Sequence, residues 1–378
     1  MSDPTFKTGL EDVVAGTSAI CFLNGARGVL AYHGHDIHDL ARGASFEEVC
    51  YLLWHGRLPN RADLGDLQSQ LAAARALPEP ILRLMRSLPA SPGMDALRTL
   101  ASALAHYDVD ASDDSPQANY RKAVRLTAQV GSLVATSGRL NAGGGPIQPD
   151  PAMGHAANFL YLLTGQRPNA LAERAFDTAL ILHADHELNA STFAARVCAA
   201  TLSDVHSAIV AAIGTLKGPL HGGANAEVMG LLLDIGEGAS GERVDAVVRA
   251  KLARKERIPG FGHRVYRTED PRATHLRRMS KELGDRAGKT MWFEMSQRIE
   301  RLVKVEKKLN PNVDFYSASV YYTLGIPIDL FTPVFAVSRI AGWTAHVLEQ
   351  YGNNRLIRPR AEYIGPSYPQ AFVPLDQR

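Results

Sequence analysis

The chain has 378 residues, 46% hydrophobic and 21% charged. That excludes a disordered polymer and exceeds what one ordinary core organises, so two domains are expected rather than one. Lys plus Arg number 41 against 39 for Asp plus Glu, a formal balance of +2, so no global field draws the chain to nucleic acid or a lipid surface, and any anion site must be local. The three cysteines, Cys21, Cys50 and Cys198, are scattered and form no CxxC pair; a disulfide framework or zinc knuckle is not expected, and a reducing, cytoplasmic compartment is.

Met1 to Lys7 has neither an apolar run nor an Arg-rich amphipathic stretch, so no signal or transit peptide is expected there. Ser18 to Tyr32 holds short β-favouring pieces around Asn24-Gly25, the pattern of a small hairpin. Helix signals then dominate: Phe46 to Leu53, ending before Pro59; Arg61 to Ala76, rich in Ala, Leu and Gln; and Ala96 to Tyr107, with Asp95 before it as a cap. Asp108 to Gln117 is polar and acidic, as in a loop. Ala118 to Leu140 reads as a long helix broken at Asn141-Ala142-Gly143-Gly144-Gly145-Pro146. Further helices are expected over His155 to Leu163, Asn169 to His183, Ser191 to Leu202 and Val205 to Leu216. Leu324 to Leu348 is apolar, but Pro327, Asp329, Pro333, Arg339 and His346 interrupt it, so it reads as a buried helix with its lead-in and not as a membrane span. Strands do not alternate with helices and GxGxxG is absent, which disfavours Rossmann and barrel folds. The expected class is all-α with a minor hairpin near the N-terminus.

Three glycine-flanked or aromatic-flanked clusters carry the chemistry. In Lys217-Gly218-Pro219-Leu220-His221-Gly222-Gly223-Ala224-Asn225, a His lies between glycine turns just before an apolar helix. The helix dipole favours neutral imidazole there, and a neutral His can donate one hydrogen bond to a developing enolate; alone, the same His would also serve as a turn cap. In Arg257-Ile258-Pro259-Gly260-Phe261-Gly262-His263-Arg264-Val265-Tyr266-Arg267, close glycines expose backbone groups suited to a flat base or a phosphate, with Arg254 and Lys255 nearby. A solvated Pro/Gly loop has the same composition. In Asn312-Val313-Asp314-Phe315-Tyr316-Ser317, apolar neighbours raise the pKa of a lone carboxyl and strengthen it as a base; equally, an Asp there caps the helix Phe315 to Leu324.

Arg339 sits inside Phe335-Ala336-Val337-Ser338-Arg339-Ile340-Ala341-Gly342-Trp343, where a guanidinium needs an acidic partner or an incoming carboxylate. With Arg272 and Arg358, it makes three arginines able to hold a substrate with two carboxylates. His183-Ala184-Asp185-His186-Glu187 places two histidines three apart, on one face if helical. It is not HExxH, so a polar pocket His ordered by Asp185 or Glu187 is preferred to a metal site.

Taken together, GPLHGGAN, IPGFGHRVYRTEDPRA, NVDFYS, HADHELNASTF, FAVSRIAGW and RLIRPRAEY resemble the signature segments of the citrate synthase family, in the expected order from Gly9-Leu10-Glu11-Asp12-Val13 to the C-terminal tail. The resemblance implies an all-α, two-domain fold, with a small mobile domain over 221–320 and a large domain built from 1–220 and 321–378. It implies that Asp314 is the base removing a proton from the acyl methyl group, that His221 stabilises the enol or enolate, and that His263 protonates the keto oxygen. It assigns oxaloacetate to His186, His263, Arg272, Arg339 and Arg358, the last reaching the neighbouring subunit's site and so implying a homodimer. CoA falls to Arg257, Ile258, Pro259, Gly260 and Phe261. Acetyl-CoA is implied as co-substrate, with no metal and no tightly bound cofactor. The alternatives are 2-methylcitrate synthase, using propionyl-CoA with the same residues, and a non-catalytic sensor of CoA esters or dicarboxylates. The short chain also implies that the extra N-terminal domain of the NADH-sensitive hexameric forms is missing.

Overall fold

The computed structural model describes residues 7–10 and 13–378. Met1 to Phe6, on which the leader reading rests, and Glu11-Asp12 of the first signature segment lie outside the described residues.

Strand β1 (Cys21–Asn24) pairs antiparallel with β2 (Val29–Tyr32), and β2 with β3 (His35–Asp36), giving a three-stranded sheet. The hairpin expected from the sequence is present, but its turn differs. Asn24 stays in the strand, paired with Val29, and Gly25 to Gly28 form a four-residue connection. A two-residue Asn-Gly turn needs positive φ at both central residues; here Gly28 takes it, at 64°, while Asn24 Oδ1 accepts the Arg27 N–H at 3.0 Å.

The remainder is helical. In chain order the helices are α1 (Ile37–Gly43), α2 (Phe46–His55), α3 (Arg61–Ala74), α4 (Glu79–Ser87), α5 (Gly93–Leu104), α6 (Pro116–Asn141), α7 (His155–Thr164) and α8 (Ala170–His183). There follow α9 (Ala190–Ala200), α10 (Val205–Leu216), α11 (Ala224–Ile235), α12 (Gly241–Ala253), α13 (Pro271–Ala287), α14 (Met291–Lys307), α15 (Val313–Thr323) and α16 (Phe331–Gly352). Their starts follow local chemistry. Ser45 with Glu48, and Asn60 with Asp63, close reciprocal capping boxes on α2 and α3. Ser115 and Asp270 cap α6 and α13, each followed by Pro at the first helical position, where no N–H is needed.

Two caps expected from the sequence fall elsewhere. Helix α5 begins at Gly93, so Asp95 lies in its first turn and pairs with Arg98 and Lys217 instead of capping. Helix α15 is capped by Asn312, whose side chain accepts the Asp314 N–H at 3.0 Å, which leaves the Asp314 carboxyl uncommitted. Helix α8 ends at His183, so His186 follows in a non-helical turn and the shared helical face does not form.

Helix α16 is the axis of the core. It is buried over almost its whole length and packs on α2, α6, α8 and α9. Trp343, fully buried on it, contributes on the order of 2–3 kcal/mol of apolar burial. Gly342 permits close approach, since a Cβ there would overlap Ala184 O and Asp185 Oδ1. Its N–H instead donates to Ala184 O at 3.1 Å, locking α16 to the turn that carries His186. Helices α11 to α15 pack chiefly on one another and meet the other helices at α1, α8 and α16. No described helix is long and apolar enough to cross a membrane.

Candidate active site

The second and third sequence clusters form one unit. Gly260 O accepts the Asn312 N–H at 2.9 Å, Gly262 N–H donates to Asn310 O at 3.0 Å, and Asn312 Nδ2 donates to Gly262 O at 2.9 Å. Gly260 and Gly262 both sit at φ 78°, in the left-handed region that favours glycine. A Cβ on Gly260 would come within 2.9 Å of Phe315 Cα. The loop is thus pressed onto the start of α15, with the Phe261 ring tilted against that of Phe315 at 4.5 Å between centroids. Of the five expected CoA residues, Ile258, Gly260 and Phe261 are buried, Pro259 is partly exposed, and the Arg257 side chain is exposed.

Two imidazoles carry opposite tautomers. The backbone N–H groups of Val265 and Tyr266 reach His263 Nδ1 at 3.0 and 3.3 Å. An amide nitrogen only donates, so Nδ1 accepts and the proton of neutral His263 sits on Nε2. At His221, the Ser191 N–H lies 3.2 Å from Nε2 and the Ser191 hydroxyl 2.8 Å from it, so Nε2 accepts and Nδ1 carries the proton. The Ser191 hydroxyl is itself held by Trp343 Nε1 at 3.1 Å. Burial pushes both imidazoles down to about 4, helped by Arg339 at His221 and by Arg272 at His263. The sequence reading ascribed the neutrality of His221 to a helix dipole; here α11 starts three residues later, and burial is the main cause.

Asp314, in the first turn of α15, is pushed up to about 6 by burial, against the pull of Arg272, Arg339 and Arg257. It is therefore a stronger base than an ordinary carboxylate yet ionised at neutral pH. His186 is held neutral by burial, helped by the nearby charges of Arg272 and Arg339. Its ring lies 5.2 Å from that of His263, and its Nε2 lies 3.3 Å from the Tyr266 hydroxyl.

The arginines divide. Arg272 is clamped by Asp270 through two bonds, Nε to Oδ1 at 2.9 Å and Nη2 to Oδ2 at 2.8 Å. Asp270 Oδ2 also accepts the Val313 N–H at 3.1 Å, tying α13 to α15. Arg339 has no carboxylate partner among the described residues; its Nε donates to His183 O at 2.7 Å and its guanidinium stacks over Phe335. Arg358 stands apart, exposed in the extended segment after α16. The structure thus gathers His186, His221, His263, Asp314, Arg272 and Arg339 and leaves Arg358 outside.

Sequence reasoning passed over Ser191, Tyr266, Asp270 and Asn312 as supports. Asn312 and Asp270 had a legible signal, each being a cap residue next to a chosen site residue. Ser191 had none, because its partner lies in a different segment. The buried Tyr321 hydroxyl and His183 Nε2 also lack hydrogen-bond partners, and Tyr321 lies near enough to feel the Asp314 charge. A cavity of about 1080 Å³ lies elsewhere, between α2, α3, α6 and α16, lined by residues such as Trp54, Tyr120 and Tyr351. It gathers none of the shifted groups described above, so the chemistry, not the volume, marks the site.

The sequence profile described as "Citrate synthase, C-terminal domain" matches residues 9–360. The chain is 56% identical over 376 residues to "Citrate synthase 2" of Bacillus subtilis, covering 99% of this chain and 100% of the relative. It is 42% identical over 384 residues to "2-methylcitrate synthase" of Shewanella oneidensis, covering all of both chains. The fold superposes with a TM-score of 0.90 on citrate synthase from Thermoplasma acidophilum, solved as a ternary complex with carboxymethyl coenzyme A and oxaloacetate; identity is 32%, over 98% of this chain and 99% of that one. This chain belongs to the citrate synthase family, transferases that form a carbon–carbon bond.

Proposed function

We propose that the chain condenses acetyl-CoA with oxaloacetate and hydrolyses the citryl-CoA thioester to citrate and CoA. The observation that carries this reading is the pair of oppositely protonated neutral imidazoles set with a carboxyl of raised pKa around Arg272 and Arg339. Asp314 takes a methyl proton from acetyl-CoA, and His221 Nδ1–H donates to the oxygen of the resulting enol or enolate. The new nucleophilic carbon attacks the keto carbon of oxaloacetate as His263 Nε2–H gives its proton to the keto oxygen. Water then cleaves the thioester. Neutral donors suit this sequence because they stabilise charge that develops only during reaction.

Arg272 and Arg339 are assigned to the substrate carboxylates, with His186 beside them. Arg358 is assigned to the site of a second copy in a homodimer. Its segment supports that reading: Tyr363, Ile364, Tyr368 and Phe372 are 74%, 92%, 93% and 85% exposed, a run of apolar surface that a second subunit would cover. CoA is assigned to the Arg257–Phe261 loop. Because Ile258 and Phe261 are buried, the loop offers the base its backbone and Arg257 rather than an apolar face. Segment 221–320 is assigned as the smaller domain, closing on 1–220 and 321–378 to exclude water until the adduct exists. The unpaired Cys21, Cys50 and Cys198 accord with a cytoplasmic setting.

Propionyl-CoA is the competing co-substrate, favoured by the similarity to a 2-methylcitrate synthase, and one methylene is discriminated by only about 1–3 kcal/mol. The test compares kcat/KM for acetyl-CoA and propionyl-CoA, each with oxaloacetate, by thiol release. A higher value for acetyl-CoA is expected. A preference for propionyl-CoA would replace the substrate, and tight binding of both ligands without thiol release would make the chain a sensor.

A further inference from the structure

The β1–β2 hairpin touches both sides of the oxaloacetate cradle. At its base, the Tyr32 hydroxyl lies 3.1 Å from both Ile181 O and Asp185 O and accepts the Asp185 N–H at 3.2 Å. Those carbonyls frame the turn that ends in His186. At its tip, Gly25 O accepts the Arg267 N–H at 2.9 Å. The approach is so close that a Cβ on Gly25 would overlap Val265 O and lie 2.7 Å from Val265 C. A Cβ on Gly28 would lie 2.7 Å from Thr268 Oγ1 and 3.2 Å from Glu269 O. The tip therefore seats on 265–269 at two points. This is the segment whose Val265 and Tyr266 N–H groups hold His263 Nδ1, and it leads directly into Asp270, the clamp on Arg272.

The strands between these ends are well anchored. Ile20, Leu30 and Tyr32 are buried, and Asn24 Oδ1 braces the tip through the Arg27 N–H. A two-strand ribbon fixed at its base and docked at its tip sets the separation of the two loops it joins. Those loops carry His186 and His263, whose rings stand 5.2 Å apart.

We propose that the hairpin is a positioning element for the reaction, with Tyr32 placing the His186 turn and Gly25, by allowing backbone contact, placing the His263 loop. The proposal rests on the roles assigned above to His186 and His263. Gly25 and Tyr32 touch neither substrate nor reacting atoms. They act through the loops, and the contact at the tip spans the proposed boundary between 1–220 and 221–320.

The test is Gly25→Ala in the full-length enzyme. Gly16→Ala serves as control, since a Cβ on Gly16 meets nothing within 4 Å. Gly25→Ala is expected to lower kcat and raise KM for oxaloacetate, together losing roughly tenfold to hundredfold in kcat/KM. KM for acetyl-CoA should stay near wild type, while the thermal midpoint falls with the lost tip contact. A merely structural glycine would move the thermal midpoint and not this split. A folded Gly25→Ala enzyme with wild-type oxaloacetate kinetics would overturn the proposal. If Gly25→Ala does not fold, Tyr32→Phe, which keeps the ring and removes only the hydroxyl, is judged by the same split. A wild-type protein that releases no thiol would instead sink the assigned reaction, so the two failures are distinguishable.

Discussion

The backbone N–H of Ser191 lies 3.2 Å from His221 Nε2, and this contact leaves the imidazole only one neutral form, protonated on Nδ1. The Ser191 hydroxyl joins the same nitrogen to Trp343 on the central helix. The orientation of His221 is thereby coupled to the core. Ser191→Ala should leave the amide contact in place but orphan the buried Trp343 N–H, costing about 1–3 kcal/mol. Urea unfolding would show the loss, and kcat should fall about tenfold with oxaloacetate KM little changed. Unaltered kcat would mean that the amide alone orients the ring.

Asp314→Asn should lower kcat by roughly 10²–10⁴-fold while oxaloacetate still binds. It should also stabilise the fold. Burial raises the Asp314 carboxyl from 3.8 to about 6, so the unfolded chain releases this proton more readily than the folded one. The ionised group therefore costs the folded state stability above the ordinary carboxylate pKa, up to about 3 kcal/mol at pH 7. Denaturation at pH 7.5 should show the variant more stable, with the gain shrinking as the pH approaches 4. A less stable variant at pH 7.5 would contradict this environment for Asp314.

The pH dependence of kcat/KM should show one acid limb, rising through about 6 as Asp314 loses its proton. His221 and His263, both held near 4, are already neutral across that range. A limb centred near 4 would assign the titration to an imidazole and not to the carboxyl.

Asp270→Asn removes the charge that clamps Arg272, leaving a buried guanidinium unpaired, and should cost about 3–5 kcal/mol. Burial works to raise the Asp270 carboxyl, but Arg272 overcomes it and holds the group below 3.8. Its stabilisation is therefore fully present above that ordinary value and is lost as pH falls through the lower folded one. The stability difference between wild type and variant, followed by denaturation from pH 7 to pH 2, should close at the acid end. A difference that is small at pH 7 would show that Arg272 finds another partner.

Arg339→Leu should weaken oxaloacetate binding by about 1.5–3 kcal/mol, the range for one charge-assisted hydrogen bond, and leave CoA binding nearly unchanged. The motive is a buried guanidinium whose nearest polar tether is the His183 carbonyl and not a carboxylate. Calorimetry with oxaloacetate and with CoA separates the two; equal affinity in variant and wild type would make Arg339 a structural residue.

The sequence by itself determined what depends on neighbours along the chain. The Ala-, Leu- and Gln-rich run Arg61 to Ala76, the long helix-favouring stretch Ala118 to Leu140 and the glycine break after Asn141 are local signals, so the helical class and most helix positions were legible. The signature segments supplied the identities of His221, His263 and Asp314, while spacing alone left each open to a bland reading. Only the tertiary structure decided which imidazole nitrogen carries its proton, that Asn312 and not Asp314 caps α15, and that Gly25 meets Val265. These depend on contacts between segments remote in sequence. A hydrogen bond has direction and reach of a few ångströms, and no pattern along one strand of chain records which distant backbone will come to lie within it.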